Sequence, residues 1–180
     1  STNQETAAAW REPERRLRDI TASGGTEILH GLRAGLSQIA RGGMEGRTNH
    51  VILLTDGHTY GDAGECLRLA GDAAARGIGL TAFGLGSDWN DAFLDALVAP
   101  SGGQSHFIES AGEVIHHLEG RLNGLGDIYG RNLSLRHAWP EQFTLRGGFK
   151  LTPYPQPLAI GSDPIPLGDL EGRAPVSVLL

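Results

Sequence analysis

Three short apolar runs, at 51–55, 78–83 and 104–108, are separated by segments whose apolar residues recur at helical spacing. Short β-branched or apolar runs closed by turn signals read as strands buried on both faces. Strands alternating with helices of about 10–15 residues are the signature of βαβ units and a parallel sheet. The first run, HVILLTDG, is the most informative, because it ends in Thr55-Asp56-Gly57. In an open α/β sheet, ligands bind in the crevice beyond the carboxyl ends of the strands. Asp56 is placed at that crevice. Its carboxylate either faces a ligand or cation there, or simply makes an Asx-type turn with Gly57.

The helices between the strands have legible ends. Ile28, Leu29, Leu32, Leu36 and Ile39 share a face, and Gly42-Gly43 stops that helix near Arg41. Thr26, after the Gly24-Gly25 turn, is its N-cap or the residue beside it. Asp62 and Glu65 are spaced as a capping box before a helix carrying Cys66, Leu69, Ala70 and Ala73, which Gly77 closes. A shorter helix over 90–99 carries Phe93, Leu94, Leu97 and Val98 up to Pro100. Ser110 and Glu113 repeat the capping spacing before a helix lined by Val114, Ile115, Leu118 and Leu122. Residues 11–20 read as a further short, exposed helix. Cys66 shares a helix face with Leu69 and Ala73, so it reads as a small core residue rather than a nucleophile.

After Gly130 the period changes from helical to two. Leu133 and Leu135 alternate with polar residues, as do Phe143 and Leu145, Phe149 and Leu151, and Val176, Val178 and Leu180. Prolines crowd 153–166. This is an antiparallel β-rich segment with one wet and one dry face, so it should not continue the parallel sheet. The division is expected at 1–125 and 126–180, with the final SVLL a strand still in progress.

Composition removes several function classes. The net charge of -6 over 180 residues opposes nonspecific nucleic-acid binding. A single cysteine excludes an intrachain disulfide and a cysteine-cluster metal site. No apolar run approaches a membrane span, and STNQETAAAW does not read as a signal peptide. Trp89 stands where a dinucleotide fingerprint after Gly84-Leu85-Gly86 needs its third glycine. There is no phosphate-loop lysine and no Gly-x-Ser-x-Gly elbow. His116-His117 with Glu113 lacks a zincin spacing and reads as a solvated helix face. His58 is a surface-loop histidine, or else it reaches the crevice beside Asp56. The latter would suit a doubly wound, hydrolase-like α/β enzyme.

One combination stands out: SGGTEI before an amphipathic helix, then ILLTDG some thirty residues on. Here the chain resembles the von Willebrand factor type A domain family over roughly residues 11–123. GIGLTAFGLGSDWN and GGQSHFIES are similar to that family's last two strands. The resemblance implies a three-layer, Rossmann-like parallel-sheet fold and a metal-ion-dependent adhesion site (MIDAS). In that site, Thr26 matches the threonine of the second loop and Asp56 the aspartate closing the central strand. The site's Asp-x-Ser-x-Ser loop does not occur in this sequence. The resemblance therefore implies a half-domain, lacking its first strands, followed by the β-rich segment. Such β-rich regions follow these domains in some bacterial secreted or envelope-associated proteins.

The implied function is noncatalytic protein or ligand binding through Mg²⁺, incomplete in this segment. Mg²⁺ wants about six oxygens; Thr26, Asp56 and water supply some, and a partner's acidic residue completes the shell. Asp62 or Asp88 would have to contribute if this chain alone bound the ion tightly. A half-domain also leaves the strand at 51–55 with an open or borrowed edge, which favours self-association. A purely structural scaffold is the remaining alternative.

Overall fold

The computed structural model describes residues 27–55, 61–86, 90–126, 128–138, 140, 142–152, 155–172 and 175–180. The expected helix at 11–20 and the TASGGT turn lie outside them.

Three strands, β1 (His50–Thr55), β2 (Gly79–Leu85) and β3 (Gln104–Ile108), form a parallel sheet in the order β1-β2-β3. Val51 pairs with Leu80, and Phe83 with His106. Helix α1 (Ile28–Gly42) precedes β1. Helix α2 (Ala63–Ala75) joins β1 to β2. Helix α3 (Asp91–Val98) and a 3-10 turn (Ala99–Ser101) join β2 to β3, and α4 (Ala111–Gly126) follows β3. Sequence-adjacent parallel strands joined by one helix each are the economical βαβ solution.

The core lies between this sheet and α1, α2 and α3. Leu32, Leu80, Leu94 and Leu97 are fully buried, as is Cys66. Burying each leucine contributes about 2–3 kcal/mol. Gly77, at φ 74°, ends α2 in a Schellman closure: the Ile78 amide donates to Ala73 O and the Gly77 amide to Ala74 O. Gly43, at φ 76°, follows α1. Asn90 caps α3 by accepting from the Phe93 amide at 3.0 Å.

Three local expectations are corrected. Asp62 is the N-cap of α2 but makes no side-chain cap bond. The Glu65 carboxylate is taken instead by Arg68 on its own helix and Arg33 on α1, and these guanidinium hydrogen bonds hold its pKa down at about 2. Ser110 does meet Glu113, at 3.2 Å, but Glu113 also accepts from the Glu109 amide. The second correction is α4. Ile115 is 62% exposed and Leu122 51%, because the helix turns His117 and Arg121 toward the sheet instead.

The third concerns the β-rich segment. Strands β4 (Ile128–Leu135) and β7 (Ile165–Glu171) pair antiparallel; β5 (Phe149–Lys150) pairs antiparallel with β6 (Gln156–Pro157) and with β8 (Val178–Leu179). None of them joins the parallel sheet. Its small core is Leu158, Ile165 and Leu167, with Leu133, Leu135 and Val178 against it. The period-two faces around β5 are inverted from the simple reading: Phe149 and Leu151 face outward, while Lys150 is 3% exposed. Lys150 can be buried because Leu167 O accepts from its ammonium at 3.0 Å and Gly102 O at 3.4 Å.

Candidate functional site

The parallel sheet has two poles, and they differ in chemistry. At the carboxyl pole β1 ends in Thr55, which is buried, and β2 runs into Gly86 at φ 84°. The Gly86 amide donates to Ile108 O, at the end of β3, at 3.2 Å. Asp56 follows Thr55 directly in sequence, but Asp56, His58 and Asp88 lie outside the described residues, as does Thr26. Thr26 stands one residue before Glu27, the N-cap of α1. Glu27 and His30 meet at 2.7 Å on the exposed first turn of α1. Asp62, at the mouth of α2, is the one described residue among those named as extra metal ligands.

At the amino pole, residues from five elements converge. His50 opens β1, Gln104 opens β3, and Arg121 comes from α4. Lys150 and Glu171 come from the β-rich segment. Arg121 and Glu171 form an ion pair, with the Arg121 side chain 8% exposed and that of Glu171 18%. The second guanidinium nitrogen of Arg121 lies 3.5 Å from His50 Nε2, which is also 2.9 Å from the Thr81 hydroxyl. A guanidinium only donates, so His50 Nε2 serves as acceptor there. Burial, then repulsion from Arg121, hold the His50 pKa down at about 3.

Beside this cluster, the rings of His106, Phe83 and His117 form a triangle, with centroids 5.6 Å apart for Phe83–His106, 5.8 Å for His106–His117 and 5.9 Å for Phe83–His117, and His116 lies 6.0 Å from His117. His106 Nε2 donates to Gln104 Oε1 at 3.1 Å. Burial lowers the His106 pKa to about 4, aided by His117 and Arg121. These rings border a cavity of about 190 Å³. Despite the three imidazoles, no group of three or more His, Cys, Asp or Glu could hold a metal among the described residues. Sequence reading missed this pole, because its members lie far apart in the chain. The one available signal was Lys150, a charge between two apolar residues on a two-residue strand.

The architecture that carries these poles is also the one the comparisons find. A family model for the von Willebrand factor type A domain matches residues 4–120. The chain belongs to that family. Its fold is similar to that of a von Willebrand factor type A protein from Catenulispora acidiphila, with a TM-score of 0.66 and 19% identity, over 86% of this chain and 38% of that one. A conserved hypothetical protein, BatB, from Bacteroides thetaiotaomicron shares the fold at a TM-score of 0.53 and 15% identity, over 64% of this chain and 68% of that one. An uncharacterized protein of Synechocystis sp. is 37% identical over 98 residues, 54% of this chain. The chain spans 23% of the length of that curated relative. Membership of this family suggests a protein-interaction module in general. No described helix is long and apolar enough to cross a membrane.

Proposed function

We propose that this chain carries a noncatalytic, adhesion-type binding module whose site lies at the carboxyl pole of the parallel sheet and uses Mg²⁺. The observation that carries this reading is the course of β1. It runs through the sheet to Thr55, the residue that precedes Asp56 in sequence. The position of α1 supports Thr26 at the same pole. Gly35 in mid-helix lies against Val51, near the start of β1. A helix antiparallel to β1 would carry its first turn, which Thr26 precedes, toward the strand's carboxyl end.

The donor chemistry fits a hard cation: a threonine hydroxyl and an aspartate carboxylate are oxygen ligands of the kind Mg²⁺ selects. Two such residues leave most of the six positions to water and to an acidic side chain of the protein partner. Bound Mg²⁺ would supply the charge that makes the partner's carboxylate a ligand. This chain's part is to hold a hydroxyl and a carboxylate at fixed spacing, which calls for neither nucleophile nor general base. The chain alone should therefore bind Mg²⁺ weakly, with a dissociation constant on the order of millimolar or worse. Calorimetric titration of Mg²⁺ and Mn²⁺ into the protein and into Asp56→Ala tests this. Micromolar binding that survives Asp56→Ala would refute the assignment.

Self-association belongs to the same proposal. Among the described residues β1 is paired along one edge alone, with β2, and Leu54 on it is 40% exposed. An apolar strand with a free edge recruits another strand. Light scattering across a concentration series should show association that weakens in Leu54→Lys. A monomer at all concentrations would count against the open edge.

A further inference from the structure

The amino pole has a feature that adhesion at the opposite pole does not use. The β-rich segment is fastened there by the Arg121–Glu171 pair, by Lys150 reaching Gly102 O, and by main-chain contact between Gly102 and Gly168. Two of the groups beside that fastening, His50 and His106, are held in neutral form by their surroundings. His50 Nε2 accepts, so it has no room for a proton while Arg121 stays in place.

We propose that this junction is an acid-operated latch, in which protonation of His50 and His106 expels Arg121 from its seat and frees the β-rich segment from the sheet, while the parallel sheet stays folded.

The surrounding charges set the direction. From α4 come Arg121, His116 and His117; from β5 comes Lys150; from β7 come Asp169 and Glu171. No titratable side chain of β2 lines this pole; Thr81 and Phe83 do. At neutral pH two cations face two carboxylates, so the junction is balanced. Two added protons unbalance it, and they land against a guanidinium. Freed from the junction, both imidazoles regain an ordinary affinity for protons, near pH 6.5. In the fastened form they resist protonation until about pH 4 and about pH 3. The fastened form is therefore favoured above about pH 6.5 and loses that preference progressively as the pH falls. Carboxylates keep their charge over most of this window, so the histidines act first.

Hydrogen exchange of the full chain, corrected for intrinsic rates, reads this directly. Between about pH 7.5 and about pH 5, residues 165–171 should lose protection by at least about tenfold, while residues 79–85 keep theirs. The double variant His50→Gln, His106→Phe, which keeps an acceptor at one site and a stacked ring at the other, should abolish the change. Retained protection of 165–171 at about pH 5, loss in both stretches together, or an unchanged loss in the double variant would each overturn the latch. So would imidazole resonances of His50 and His106 in the natural sequence that titrate near pH 6.5 in the fastened state, a test that needs no variant.

Discussion

Gly102 and Gly168 meet main chain to main chain, and a Cβ on either would overlap the backbone of the other. Both adopt positive φ, 62° and 82°. The seam between the α/β part and the β-rich segment is thus fitted to the absence of two side chains.

Gly102→Ala should therefore be costly. A left-handed φ costs a non-glycine residue about 1–2 kcal/mol, and forced overlap adds about 1–3 kcal/mol. Urea denaturation should show a total loss of about 2–5 kcal/mol. Gly46→Ala is the control. Gly46 also has positive φ, 70°, but an added Cβ there meets nothing within 4 Å, so only the backbone part, about 1–2 kcal/mol, should appear.

Cys66 is fully buried, and burial with the nearby Asp62 and Glu65 carboxylates pushes its thiol pKa up to about 11. At neutral pH the thiolate is scarce and out of reach. A disulfide reagent should label the native protein only as fast as the chain opens, and the unfolded protein within the mixing time. Rapid labelling of native protein would contradict the packing of α2.

The misread face of α4 gives a paired test. Ile115→Ala, at an exposed position, should change stability by no more than about 0.5 kcal/mol. Leu94→Ala, in the core under β2, should cost about 2–5 kcal/mol. A large loss for Ile115→Ala would mean that another surface covers that side of α4.

Lys150 sets a pH dependence on the alkaline side. Burial, then repulsion from Arg121, lower its pKa from 10.5 to about 8, with Asp169 opposing. The folded chain prefers the neutral amine, while the unfolded chain keeps the charge up to about pH 10.5. Stability should therefore rise from about pH 8 toward pH 10.5, as the unfolded state binds the extra proton. Denaturation midpoints at about pH 7.5 and about pH 9.5 should show the rise, and Lys150→Met should lack it.

Much of the α/β part was legible because its strands are short apolar runs closed by turn signals, although of the three only β2 is buried on both faces, Leu54 on β1 and Phe107 on β3 being exposed. A run such as ILLT has few other uses, and Gly77 after an amphipathic helix names its own closure. The strand order followed because short crossovers favour neighbours. What misled was local pattern without its tertiary partner. Glu65 has capping spacing from Asp62, but Arg33 arrives from another helix to claim it. Ile115 and Leu122 share a stripe, yet the sheet meets α4 along His117 and Arg121. The alternation around Lys150 was visible, but which side was dry depended on two carbonyls, Gly102 O and Leu167 O, brought from afar. The amino-pole cluster draws on positions 50, 104, 121, 150 and 171, and apart from Asp169 and Glu171 no local window holds two of its charges together. Of the two candidate metal ligands, Asp56 was suggested by the apolar strand before it and Thr26 by likeness to a family, and both lie outside the described residues.

The fastening of the β-rich segment has a directional consequence. Its anchors, Gly102, Arg121 and the Gly77 turn against which Asn132 rests, all sit where the strands begin. The segment therefore acts as a pedestal beneath the sheet, with the strands pointing away from it. If the carboxyl pole is the binding face proposed above, a partner approaching the ends of β1, β2 and β3 arrives from the side opposite the β-rich segment, and that segment never stands in its way.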